Sequence, residues 1–377
     1  MKALSNACVL TDRGFQEHHT VIVSDALIHA VMEDGDFDQK DIEVQDIGGQ
    51  LLLPGFVDIQ VNGGGGVLFN DSPSVDSIRA IGAAHRRYGT TGFLPTLISD
   101  DLDSIAAAIA ATDAAIAAGV PGVLGIHIEG PFLNKQKRGV HDASKLRVLD
   151  TGAIELLSSL SSGKTMVTLA PEMTSPELIR ALVDAGVIVA AGHSNASYEE
   201  IQTALDAGLS GFTHLFNAMS QLSSRAPGVV GAALDDEQSW CGLIADGHHV
   251  HPAALRIAIA SKTRGRCLLI TDAMPCVGAD QKTFELNGQV INVSNGKCVT
   301  ADGTLAGSSL DMASAVRYTE DSLGVDRAEA VRMASQYPAE AIGLGDQIGR
   351  IAPGYRANLV IADHDLNIVD TWIDGQH

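Results

Sequence analysis

Residues 123–130 read VLGIHIEG, and this stretch decides the fold. The apolar run is continuous enough to be buried on both faces, so it reads as a strand of a parallel sheet. It closes on His127 and Glu129, two polar groups that a strand sends to the same side. Seven more such runs occur at 56–62, 92–98, 165–172, 188–194, 212–217, 241–247 and 267–273. Helical stretches at 74–88, 101–118, 175–185, 198–207, 252–261 and 309–323 separate most of them. Eight parallel strands joined by helices close naturally on themselves, so the expected fold is an α/β (β/α)8 TIM barrel.

The chain ends read differently. Short alternating segments at 20–23, 28–32 and 42–47, and again at 348–351, 358–362 and 368–373, are separated by polar turns. They are expected to fold together as a small flanking β-sandwich built from 1–53 and 348–377, leaving 54–347 to the barrel. Within the barrel, alternation around the turns Asn287-Gly288 and Asn295-Gly296 predicts a β-hairpin inserted near 281–304.

The sequence carries 377 residues, 46 acidic against 25 basic, for a formal charge of −21. A phosphate backbone would be repelled, so nucleic-acid binding is disfavoured, and an anionic substrate would need a local cluster of donors. The N-terminus, MKALSNACVLTDRG, lacks the apolar run of a signal peptide, and no later stretch approaches a membrane span, so a cytoplasmic protein is expected. Five cysteines without CxxC spacing read as reduced core residues.

Active sites of such barrels lie at the carboxyl ends of the strands. There the sequence offers Gln60 and Asn62, His127 and Glu129, His193, His214, Asp246 with His248 and His249, and Asp272. A buried Glu and two His from three strands match the donor set of a divalent transition metal with positions left open for water, which points to Glu129, His193 and His214. Asp272, ending the eighth strand, faces that point across the mouth as a proton acceptor.

The segments LPGFVDIQVNG (53–63), HIEGPF (127–132), APE (170–172), AGHSNA (191–196), THLFNAM (213–219), ADGHHV (245–250) and TDAM (271–274) occur in the order found in amidohydrolases. Over essentially the whole chain the sequence resembles the family of N-acetylglucosamine-6-phosphate deacetylases. The resemblance implies a barrel with a flanking β-sandwich, a homodimer, and one divalent metal per subunit held by Glu129, His193 and His214. Zinc is the first expectation, with Fe2+, Mn2+ or Co2+ also compatible. It implies amide hydrolysis in amino-sugar metabolism, in which Asp272 takes a proton from the metal-activated water and then gives it to the departing amine.

The resemblance further implies that His141, in KRGVHDA (137–143), polarises the substrate carbonyl. It assigns the phosphate to Arg225 in SSRAPG (223–228), to His249 and to the backbone amides of Asn217 and Ala218, with some of these groups reached across the dimer interface. The superfamily's usual His-x-His on strand one is Gln60-Val61-Asn62 here, and amides are poor transition-metal ligands. One metal is therefore expected, with Gln60 and Asn62 hydrogen-bonding near the water or the sugar. Two other readings stay open: an amidohydrolase acting on N-acetylgalactosamine 6-phosphate or an N-acyl amino acid, and a non-catalytic barrel scaffold.

Overall fold

The computed structural model describes residues 1–38, 40 and 42–377. Eight parallel strands follow one another in a single sheet in chain order: Phe56–Val61, Thr90–Ile98, Gly125–Glu129, Lys164–Leu169, Ile188–Ala191, Gly211–Phe212, Trp240–Leu243 and Cys267–Leu269. The first and last meet through the bridge Val61–Ala273 and the bonds Asp272 N–H to Gln60 O (3.0 Å) and Asn62 N–H to Ala273 O (3.0 Å). The sheet thereby closes as a TIM barrel.

The strands are Val-, Ile- and Leu-rich because both faces are covered, one by helices and one by the barrel's own interior. Helices start where the sequence supplies acceptors for free N–H groups: Ser74, Ser175 and Asp311 each cap the N-terminus that follows, and Ser197 with Glu200 forms a capping box. The six expected helices are present, and Thr151–Leu157, Gly228–Asp235, Arg327–Ala334 and Gln336–Ala341 add to them. Strands three and four approach so closely at Gly125 (φ 152) that a Cβ there would lie 1.9 Å from Lys164 O.

Both chain ends enter one seven-stranded sheet, with Leu359–Ala362 antiparallel to Leu51–Pro54 and Lys2–Thr11 beside it. Bulges near Asn6 (φ 54) and His18 (φ 54) bend its two long strands over a separate core that includes Leu4, Val21, Leu52, Leu359 and Trp372. Residues 348–351, expected as a strand, are irregular. Gly349 (φ 88) breaks the extended run, and Ile348 and Ile351 are buried in two different cores.

The expected hairpin is larger than the sequence suggested. Thr283–Leu286, Gln289–Ser294, Lys297–Val299 and Leu305–Ser308 form a four-stranded antiparallel meander. Both Asn-Gly turns have positive φ at each central residue (51 and 72, 51 and 77), the mirror-image turn that matches strand twist. Alternation ends near 299, which hid the fourth strand from the sequence reading. The meander lies against the barrel mouth: Leu286, Thr304, Leu305 and Gly307 line its cavity, and Asn287 Nδ2 donates to Val140 O (3.0 Å).

Candidate active site

At strands five, six and eight the ladders stop earlier than the apolar runs do, and His193, His214 and Asp272 stand just beyond them. His193 (φ 48), His214 (φ 34) and Asp272 (φ 51) all adopt left-handed backbone, which costs about 1–3 kcal/mol for each such residue. The surrounding structure holds them there: Asn134 N–H donates to His193 O (3.0 Å), Leu215 N–H to Gly242 O (2.8 Å), and Asp272 N–H to Gln60 O. Strain stored at three convergent side chains marks a functional site.

Glu129 Oε1 lies 3.0 Å from His193 Nε2 and 2.9 Å from His214 Nε2, and the two ring nitrogens are 3.0 Å apart, all of them buried. His193 Nδ1–H donates to Lys137 O (2.8 Å), which leaves Nε2 as a lone-pair donor. Three donor atoms at such mutual distances fit one cation, since bonds of about 2.1 Å to a tetrahedral ion space its ligands roughly 3–3.5 Å apart. Burial disfavours a charged Glu129, but the two facing histidines outweigh it and hold the carboxyl well below the usual range. His127, named beside Glu129 from the sequence, lies one layer deeper, between Thr96 Oγ1 (3.3 Å) and Thr168 Oγ1 (2.8 Å). Burial lowers its pKa to about 4, so it is a neutral core group.

Asp272 faces this cluster. Its Oδ1 accepts from Asn62 Nδ2 (2.6 Å) and Gln60 Nε2 (3.2 Å), and Gln60 Nε2 also donates to Glu129 Oε2 (3.0 Å). The strand-one amides thus tie together the two carboxylates of the site. Burial, and then the charge of Glu129, push the Asp272 carboxyl upward, toward the range in which a carboxyl can exchange a proton near neutral pH.

His141 stacks edge-on against His193 at 4.4 Å between ring centres. Its Nδ1 accepts the Ser99 N–H (3.3 Å) and lies 2.7 Å from Ser99 Oγ. Because burial and then the neighbouring His193 lower its pKa to about 3, the ring is neutral, and Nε2 must carry the hydrogen. A fixed N–H donor results. His249 is held through Nδ1 by Asp246 Oδ2 (2.6 Å).

These residues share one cavity of about 340 Å³: Asn62, Glu129, His141, His193, His214, Asn217, Ala218, His249 and Asp272 all line it, with Gln60 directly behind. Two of the groups expected at the phosphate stand apart from the rest. The Asn217 N–H donates to His214 O (3.0 Å), so of the two expected backbone donors this one is already engaged. Arg225 is exposed and lines a different cavity of about 440 Å³, with Tyr198, Glu199 and Gln221. Within one chain the fold does not bring it to the others.

Two residues went unassigned in the sequence reading. Glu172, in the segment APE, accepts from Ser194 Oγ (2.6 Å) at one oxygen and from Asn195 N–H (2.6 Å) and Asn134 Nδ2 (2.9 Å) at the other, bracketing His193. Lys137 lines the cavity, its signal being the basic run Lys135, Lys137, Arg138 in an acidic chain.

A (β/α)8 barrel that opposes a buried Glu-His-His set to a single aspartate belongs to the class of metal-assisted hydrolases. The chain belongs to the amidohydrolase family, whose model matches residues 51–377. It is 42% identical to the N-acetylgalactosamine-6-phosphate deacetylase of Shewanella sp. (strain ANA-3), covering 100% of this chain and 95% of the relative. It is 34% identical to the N-acetylglucosamine-6-phosphate deacetylase of Haemophilus influenzae, covering 99% and 98%. The crystal structure of the N-acetylglucosamine-6-phosphate deacetylase from Pasteurella multocida superposes with a TM-score of 0.96 at 34% identity, over 100% of this chain and 98% of that one.

Proposed function

We propose that this chain hydrolyses the acetamide of N-acetyl-D-glucosamine 6-phosphate, giving D-glucosamine 6-phosphate and acetate in amino-sugar catabolism. The observation that carries the reading is the convergence of Glu129, His193 and His214 opposite Asp272 in one cavity. Relatives named as deacetylases of 6-phosphorylated N-acetylhexosamines at 34–42% identity support it.

Glu129, His193 and His214 would hold one divalent ion, zinc by preference, which when bound supplies Lewis acidity to water and carbonyl. A second ion is disfavoured because Gln60 and Asn62 direct N–H groups at the carboxylate lone pairs it would need. Asp272 accepts the proton of the attacking water at Oδ2, since Oδ1 is engaged by both amides. It then delivers that proton to the nitrogen as the C–N bond breaks, leaving acetate and the free amine. The His141 Nε2–H donates to the carbonyl oxygen as negative charge develops there. His249 and the Ala218 backbone meet the phosphate, and Arg225 reaches the site of a partner subunit in a homodimer. The setting proposed is the cytoplasm, where buried thiols stay reduced; no helix of the described residues is long and apolar enough to cross a membrane.

Acetate release by the zinc-supplemented protein tests the reading, with N-acetylglucosamine 6-phosphate, its galactosamine epimer and the unphosphorylated sugar compared. Release from the glucosamine phosphate and little from the free sugar is expected; no release from any of the three would overturn it. The 42% identity to a galactosamine-phosphate deacetylase favours a second reading, in which the epimer has the higher kcat/KM.

A further inference from the structure

We propose that Lys137 is the cation that a subunit supplies to the phosphate in its own active site. The proposal rests on the 6-phosphate reading above and adds a recognition residue to it. A phosphate dianion entering a chain of net charge −21 needs a local positive group. Among the described residues lining the catalytic cavity, Lys137 is the one Lys or Arg, because Arg225 lies against another cavity.

The position of Lys137 is built from both sides. Asn134 caps the short turn Lys135–Lys137, its Oδ1 accepting the Gln136 N–H (2.9 Å). The Lys137 carbonyl accepts the His193 Nδ1–H, which fixes the backbone against the metal-binding cluster. Its side chain then crosses to the other wall, where Nζ donates to Met219 O (3.0 Å), one residue past Ala218. An ammonium has three hydrogens, so two remain for an anion beside the Ala218 backbone. The group is half-buried, and partial exclusion of water strengthens its attraction for a phosphate relative to a surface lysine. With the Asn217 N–H engaged elsewhere, the charge of Lys137 supplies what the backbone pair was expected to give.

The test is Lys137→Met in the zinc-loaded protein, with Lys137→Arg as the charge-retaining control. The substitution keeps the carbonyl that anchors His193. Inorganic phosphate is the first probe, titrated calorimetrically and used as a competitor of hydrolysis. Loss of one charged hydrogen-bonding group predicts binding weaker by about 10- to 100-fold for Lys137→Met, and much less for Lys137→Arg. KM for the 6-phosphate should rise by a similar factor, with the loss confined to the phosphorylated substrate. Unchanged phosphate affinity and KM would overturn the proposal, as would a fall in kcat alone for both sugars, which would mean that Lys137 acts through His193. Should neither sugar be hydrolysed by the native protein, the deacetylase reading fails, while the phosphate titration still decides the role of Lys137.

Discussion

Glutamine in place of Glu172 probes whether the left-handed turn at His193 is maintained from outside the metal-binding set. The carboxylate receives Ser194 Oγ and Asn195 N–H from the residues that follow His193, and Asn134, whose own N–H holds the His193 carbonyl. Glutamine keeps the shape but turns one acceptor into a donor and removes the charge. Hydrogen bonds to charged groups contribute about 1.5–3 kcal/mol each. Asn195 is exposed and Ser194 fully buried, so most of the loss comes from the serine, on the order of 2 kcal/mol. If that energy orients His193, zinc affinity falls about 30-fold, within the range for partners that support metal ligands. Competition with a chromophoric chelator measures the dissociation constant, and the Tm of the metal-free protein is followed in parallel. An affinity within about twofold of wild type, together with a lowered Tm, would refute the argument and leave Glu172 as a loop staple.

Asp272→Asn should retain metal by elemental analysis yet lose about 10²- to 10⁴-fold in kcat, because the amide can neither accept nor return the proton; near-normal turnover would remove Asp272 from the mechanism. Asp58 gives a pH signature. It is buried between Thr271 and Gln60, and burial raises its pKa from 3.8 to about 7. Between those values the unfolded chain releases the proton while the native state keeps it. This contribution to stability is therefore complete below about pH 4 and is lost as pH rises to about 7, a change of roughly 4 kcal/mol. Asp58→Asn, which mimics the protonated form, should flatten that slope in denaturant titrations from pH 4 to 8, and an unaltered slope would show that other groups carry it. Mixing Arg225→Ala with Asp272→Asn chains should restore roughly a quarter of wild-type sites if Arg225 acts across a dimer interface, and none if it acts within its own chain.

The barrel and the polar residues that its strands carry to the mouth are both legible in the patterning of the chain. Runs such as 123–130 and 267–273 are apolar throughout because their strands are covered on both faces, and a closed parallel sheet gathers whatever polar groups end those runs. Glu129, His193, His214 and Asp272 were legible for that reason, before any contact among them was known. The sheet at the chain ends was legible from alternation, except at 348–351, where Gly349 turns the chain. The rest rests on contacts that exist only in the folded chain. The backbone at His193, His214 and Asp272 leaves the strand for the left-handed region, a choice imposed by neighbouring loops and invisible to periodicity. Glu172 and Lys137 are placed by bonds to the Ser194 hydroxyl and to the Met219 carbonyl, contacts between segments distant in sequence that no local pattern records. Arg225, three residues after Leu222 in a polar loop, could be matched to a motif but not located, because loop placement depends on what the loop packs against. Periodicity records which face of an element is buried; which loops meet over the barrel mouth is settled only when the whole chain has closed around it.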